Sequence, residues 1–266
     1  MYIAQQAGYY RKHGLNVTIR AANHPAGVAM LVSGEAQVNV LPLERGIAVG
    51  CKDPGFVVSA APVRKWLFAM VGRPEIQSMG ALRGKKVGIA QLGDTTHASS
   101  LALLRKFNLT ANDVQILTVG AENRVAALAS GRIDATILSA PAYFELEKSG
   151  FRVLANIMDF EDLELPSALL LRRDNPGAAH LAEALAEAHA EAVDRFYADK
   201  RFAVRAYLAY DKQTQSGMER VYDQYVKARS FKRMPQISIN DAAPFAEANC
   251  DLGAVIDNLG ADRASP

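Results

Sequence analysis

The chain writes one pattern twice. Leu31–Leu41 reads LVSGEAQVNVL and Leu128–Leu138 reads LASGRIDATIL, an offset of 97 residues (128 − 31). Each copy closes an apolar helical stretch on Ser-Gly and runs on into an alternating apolar strand. The likeness extends upstream, with RKHGLNVTI at Arg11–Ile19 set against RKFNLTANDVQIL at Arg105–Leu117. In both, a basic helix end meets Gly14 or Asn108, the residue types that most readily take the left-handed conformation closing a helix. Val17 and Ile19 then alternate, as do Val114 and Ile116. Each half predicts helix, cap, strand, turn, helix, Ser-Gly, strand. Such units build parallel sheets with right-handed crossovers. Two of them predict two similar α/β lobes.

The second copy carries a lead-in that the first lacks. Leu82–Phe107 reads LRGKKVGIAQLGDTTHASSLALLRKF. It predicts a strand over Lys86–Gln91, a loop at LGDTTH and a helix over Ala98–Phe107. No counterpart stands before Ile3, so the expectation is that the sequence begins one strand late. The missing strand would be central in its sheet, and its absence would leave unpaired backbone. Gly55–Pro74 holds two apolar strands around a turn at Pro62–Lys65, and Ala168–Gly177 opens with another strand. These are the expected routes into and out of the second lobe. Lobe 1 is predicted over 1–72 and 168–266, and lobe 2 over 73–167, with crossings near Gly72–Pro74 and Leu165–Ser167. Beyond Pro176 the pattern is helical. Leu181, Leu185, Ala188, Ala192 and Phe196 share one face, and Glu183, Glu187 and Glu191 another. His180 and His189 are expected to be solvated helix residues.

Composition narrows the function. Half of the 266 residues are apolar and 22% are charged, which suits a packed core. The formal net charge is +2 with no basic run, so nucleic acid has no electrostatic footprint here. No stretch of 18 apolar residues offers a membrane span. No CxxC or HExxH pattern supports a metal site. No Ser-His-Asp order or pair of catalytic acids stands out. Cys51 and Cys250 either form one disulfide or remain buried thiols, and free thiols are the expectation.

YIAQQAGYYRKHGLNV, VSGEAQVNV, LRGKKVGIAQLGDTTHASSLALLRKFNL and ALASGRIDATILSAPA occur in that order over about Tyr2–Pro176. This series resembles the periplasmic solute-binding proteins of ABC transporters, in the group that takes sulfonates, taurine, nitrate or thiamine-pyrimidine precursors. The resemblance implies a type II periplasmic binding protein fold: two Rossmann-like α/β lobes joined by two hinge crossings, with a helical C-terminal segment. It implies a small ligand held in a cleft that closes, a periplasmic location, a membrane permease as partner, a monomer and no cofactor. The same fold hosts some enzymes, including desulfinases and pyrimidine synthases, so fold does not fix function. The cysteine-rich motif of those synthases is absent. His24 and His97 are the only plausible bases for an enzyme reading.

In open α/β sheets, ligands sit beyond the carboxyl ends of the strands, where helix N-termini favour an anion. That rule selects Gly93, Asp94, Thr95, Thr96 and His97 in the second lobe. Gly93 permits close backbone approach and the threonines add hydroxyls, while Asp94 or Thr95 serves equally as an N-cap. A cleft-facing Asp94 would repel an anion, whereas a capping Asp94 is neutralised locally. The equivalent loops nominate His24, Pro42, Glu44, Asn123, Ser139 and Tyr143. Asn123 either caps its helix or meets ligand, and Tyr143 either walls the cleft or packs. Trp66, the only Trp, is core or cleft wall. The ligand expected is a small organic anion, sulfonate- or taurine-like, with a pyrimidine or another aromatic compound as the alternative.

Overall fold

The computed structural model describes residues 1–22, 24–210, 214–246 and 249–257, without the side chain of His24. In chain order its first elements are α1 (Tyr2–Ala7), α2 (Tyr9–Lys12), α3 (His24–Val32), β1 (Val38–Pro42), α4 (Leu43–Lys52), β2 (Phe56–Ala60) and β3 (Phe68–Gly72). Next come β4 (Lys86–Ile89), α5 (Thr95–Lys106), β5 (Gln115–Thr118), α6 (Arg124–Ala129), β6 (Ala135–Ser139), α7 (Ala142–Lys148) and β7 (Arg152–Asn156). The rest are β8 (Ser167–Arg172), α8 (Ala178–Ala198), α9 (Lys200–Leu208), α10 (Gln215–Lys227), α11 (Ile239–Ala242) and α12 (Leu252–Val255), with four short 3-10 turns among them. None of the described helices is long and apolar enough to cross a membrane.

The chain divides into two compact units. Unit 1 is Met1–Arg64, Pro166–Lys212 and Arg229–Pro266, and unit 2 is Lys65–Leu165 with Gln213–Ala228. Unit 2 holds a five-stranded sheet in the order β5-β4-β6-β3-β7. β4 runs parallel to β5 and β6, and β3 runs antiparallel to β6 and β7. Val87, Ala135 and Ile137 pack with Leu103, Leu104 and Met79 in one apolar core. Gly88 fits there because a Cβ on it would lie 2.3 Å from Ile133 Cδ1. α10 falls in unit 2, whereas the sequence reading gave all of 168–266 to the first lobe. Arg220 holds it there: its guanidinium lies 2.8 Å from Glu147 and 3.7 Å over the Phe144 ring. Helical periodicity shows that α10 has an apolar face and not which body that face meets.

Unit 1 holds a three-stranded sheet, β1-β8-β2, in which β8 is antiparallel to both neighbours. The parallel pairing expected around Val17 and Ile19 is not formed. Leu15, Val17 and Ile19 do alternate with exposed Asn16, Thr18 and Arg20, but residues 15–20 carry no ladder. Leu15 and Val17 pack beside Ala4, Tyr10, Ala188 and Ala192 instead. Alternation supplies a buried side; a strand also needs a neighbour to take its backbone groups.

Two other expectations change in unit 1. Cys51 and Cys250 are joined by a disulfide, with Cα atoms 5.3 Å apart. The end of α4 and the segment carrying α12 converge: a Cβ on Gly50 would lie 2.7 Å from Val255 Cγ1, and Ile256 bridges Val58. Nothing local to either cysteine encodes that meeting. His189 is not solvated. Its Nε2 lies 2.6 Å from the Lys232 carbonyl oxygen, and burial lowers its pKa to about 4. His180 is exposed, as expected. Glu187 and Glu191 grip the His13 ring at 2.7 and 2.6 Å, tying α8 to α2.

Candidate functional site

The parallel strands β4, β5 and β6 end on one edge of the unit 2 sheet, where α5, α6 and α7 begin. The first helix start is built in detail. Gly93 turns the chain with φ 72°, in the left-handed region that favours glycine. Asp94 is the N-cap of α5: its Oδ1 accepts from the His97 N–H at 2.9 Å and from Thr96 Oγ1 at 2.7 Å. α5 thus starts at Thr95, three residues before the start read from sequence, because that cap fixes it. Thr96 Oγ1 also accepts from the Ala90 N–H at 2.8 Å, so the end of β4 and the helix start are locked together. The Gly93 N–H donates to His97 Nδ1 at 3.1 Å.

These bonds leave a defined set of donors open. The N–H groups of Thr95 and Thr96 and the Thr95 hydroxyl have no partner among the described residues. They stand at the positive end of a twelve-residue helix. Arg124, the first residue of α6, is near enough for the charge of Asp94 to act on it. Its Nη1 donates to the Ile137 carbonyl and its Nε to the Ala121 carbonyl at 3.3 Å, which leaves Nη2 uncommitted. Burial lowers the pKa of this guanidinium, while the charges of Asp94 and Glu122 oppose that shift. The groups suit an anion with several oxygens: backbone N–H groups and one hydroxyl at the helix start, with one held cation within electrostatic reach of the capping Asp94. Asp94 Oδ1 is engaged by the cap, and the positive helix end offsets only part of the carboxylate's charge.

The remaining nominated residues are scattered. Asn123 occupies the N-cap position of α6 but makes no capping bond with its side chain, which is exposed. Ser139 is exposed at the end of β6. Tyr143 packs: it is 1% exposed, its hydroxyl accepts from Asn156 Nδ2 at 3.0 Å, and burial raises its pKa to about 12. Trp66 is half-buried against the unit 2 core. Pro42 and Glu44 lie in unit 1, where Pro42 ends β1 as the buried N-cap residue of α4 and Glu44 sits half-buried in that helix's first turn. His24 begins α3, and its side chain is outside the described residues. Arg124 was not among the residues nominated from sequence.

The NMT1/THI5-like family model matches residues 1–198. The chain belongs to the NMT1/THI5-like family. No curated protein matches it significantly. Among solved structures, this NMT1/THI5-like chain is similar to a putative periplasmic sulfonate-binding protein, SsuA, from Methylobacillus flagellatus KT. That match has 19% identity and a TM-score of 0.75 and covers 97% of this chain and 84% of the other. The periplasmic aliphatic sulphonate binding protein SsuA from Escherichia coli matches at 18% identity and a TM-score of 0.75, covering 96% and 87%. The desulfurization enzyme DSZB matches at 16% identity and a TM-score of 0.67, covering 95% and 86%. The fold is that of the periplasmic binding proteins, as the resemblance implied.

Proposed function

We propose that this protein is an extracytoplasmic receptor that binds a small organic anion of the sulfonate class and releases it unchanged to an ABC importer. One observation carries the reading. The start of α5 offers two open N–H groups and the Thr95 hydroxyl, and the half-buried Arg124 guanidinium is within electrostatic reach of the Asp94 cap. A sulfonate presents three oxygens and one negative charge, and accepts without donating. Two to four such charge-assisted bonds with some apolar contact supply about 8–10 kcal/mol, or micromolar affinity. The similarity to sulfonate-binding proteins supports the same class. The Cys51–Cys250 disulfide supports an oxidising compartment, since such bonds rarely persist in the cytosol.

The similarity to DSZB raises an enzyme as the rival. Against it, the one imidazole described at the helix start spends Nδ1 on the Gly93 N–H. The test is calorimetry and thermal shift with alkanesulfonates, taurine, nitrate, aromatic carboxylates and pyrimidines, followed by mass spectrometry of the recovered compound. An alkanesulfonate should stabilise the protein and return intact. Arg124→Gln should weaken its binding about tenfold or more, equivalent to about 1.4 kcal/mol. Conversion of the compound, or a response to pyrimidines alone, would overturn the proposal.

A further inference from the structure

The chain passes between the two units at four places, where the sequence reading allowed for two. The added passages carry α10 into unit 2 and out again. Three of the four follow Arg64, Leu165 and Ala228. On the unit 1 side, the segments beside these three are bonded to one another. The Val63 N–H donates to Ser167 Oγ at 3.2 Å, and the Ser167 N–H donates to the Val63 carbonyl at 3.0 Å. The Arg64 N–H donates to the Ser230 carbonyl at 2.8 Å, and the Lys232 N–H donates to the Pro62 carbonyl at 3.1 Å. Val63 also forms an antiparallel bridge with Phe231. Ser167 and Ser230 are both fully buried.

On the unit 2 side, Lys65 is the first residue past its passage. It is 4% exposed, and its ammonium donates to the Phe160 carbonyl and, at 3.0 Å, to the Glu161 carbonyl. Those carbonyls stand in the segment that leads to Leu165, the last residue before the second passage. An ammonium taken out of water is costly, and an aliphatic side chain would fill the same space at less cost. What the ammonium supplies is direction, because its bonds fix two chains relative to each other within unit 2. Little chain is left between the two grips. Arg64 meets Lys65 directly, and Leu165 meets Pro166, whose ring fixes φ. Ala228 meets Arg229, which ends α10 in a left-handed conformation with φ 45°, a turn usually given to glycine.

We propose that residues 62–65, 166–167 and 229–232 form a three-chain pivot between the units, and that Lys65 is its positioning residue. The third of these chains lies beyond residues 1–198, which the family model matches. At the three passages, turning is confined to the junctions Arg64–Lys65, Leu165–Pro166 and Ala228–Arg229, the few element-terminal residues of a hinge that absorb dihedral change. The C-terminal part of the chain thereby works in the binding cycle, although it supplies none of the groups at the start of α5. A joint with one defined path orders fewer residues when the units close than a loose joint does, and ligand binding has that much less to offset. The pivot acts in the protein without ligand, so it stands apart from the sulfonate reading.

The test reads the distance between the units in ligand-free protein. Spin labels go on Ala179→Cys in unit 1 and Ser78→Cys in unit 2, both exposed positions, and the native cysteines are joined and take no label. Lys65→Met keeps the buried stem and removes the ammonium. Ser167→Ala removes the acceptor of the Val63 N–H and leaves Lys65 in place. Each variant should widen the distance distribution by about twofold or more. Asp113→Ala is the control. It removes the acceptor of the Thr110 N–H and hydroxyl, which lowers stability in unit 2 away from the pivot, and it should keep the wild-type width. Wild-type widths in both pivot variants would overturn the proposal, and so would equal widening by Asp113→Ala. If Lys65→Met does not fold, Ser167→Ala against the control decides alone.

Discussion

Removing the cross-link tests how unit 1 holds its last segment. Cys51→Ser with Cys250→Ser opens a loop of 199 residues. Closing a loop of that length costs the unfolded chain about 5 kcal/mol of entropy at 25 °C, an upper value because residual structure shrinks it. A chain of this size loses about 2–4 °C per kcal/mol, so the melting temperature should fall by about 10–20 °C. The native contacts say where the loss begins. Val255 is 1% exposed beneath α4, Ile256 bridges Val58, and Arg173 holds the Ala254 carbonyl at 2.6 Å and Asp257 at 2.5 Å. These contacts are few among the described residues, so the segment around α12 should lose amide protection before the sheet does. The assay is thermal unfolding by circular dichroism with and without reductant, backed by exchange mass spectrometry. Wild type in reductant should reproduce the double variant. A double variant that melts within about 2 °C of oxidised wild type would refute the reasoning.

His189 makes stability pH-dependent. Burial lowers its pKa to about 4, so between pH 6.5 and 4 the unfolded chain binds a proton that the folded chain refuses. Stability should be lost as pH falls through that window, by about 3 kcal/mol in all. Urea midpoints at pH 7, 5.5 and 4 read this, and His189→Gln should flatten its share of the slope. Asp94→Ala should cost about 1 kcal/mol through loss of the α5 cap, measured by chemical denaturation. Asp94→Asn should keep the cap within a few tenths of a kcal/mol and tighten sulfonate binding, because a negative charge leaves the site. Looser binding by Asp94→Asn would mean that the carboxylate contacts a donor group on the ligand.

Much of unit 2 was legible because its signals are local. Val87, Gly88 and Ile89 read as a strand, Gly93 and Asp94 as a turn and cap, and the Ser-Gly repeat marked where the next strand begins. The unread parts depend on contacts distant in sequence. Residues 15–20 show a strand's alternation, yet pairing depends on a neighbour. The cysteine partnership depends on where α12 lands, 199 residues from Cys51. His189 lies on a helix whose polar positions resemble solvated ones, and the Lys232 carbonyl that receives it is 43 residues away. At the candidate site, the helix start was readable and Arg124 was not. A long side chain at a helix start looks solvent-bound until the Ile137 and Ala121 carbonyls that hold it are known.

β8 lies between β1 and β2 and, among the described residues, is the only strand that pairs with either. It is also the last of the three to leave the ribosome, after every strand of the unit 2 sheet has been made. During synthesis the unit 2 sheet has all its strands once Asn156 has emerged. β1 and β2 must wait, with Phe56, Val57 and Val58 unburied by any sheet neighbour, until Ser167–Arg172 arrives. The unit 2 sheet can therefore pair before the unit 1 sheet, and the earliest-made strands, β1 and β2, wait longest for their neighbour.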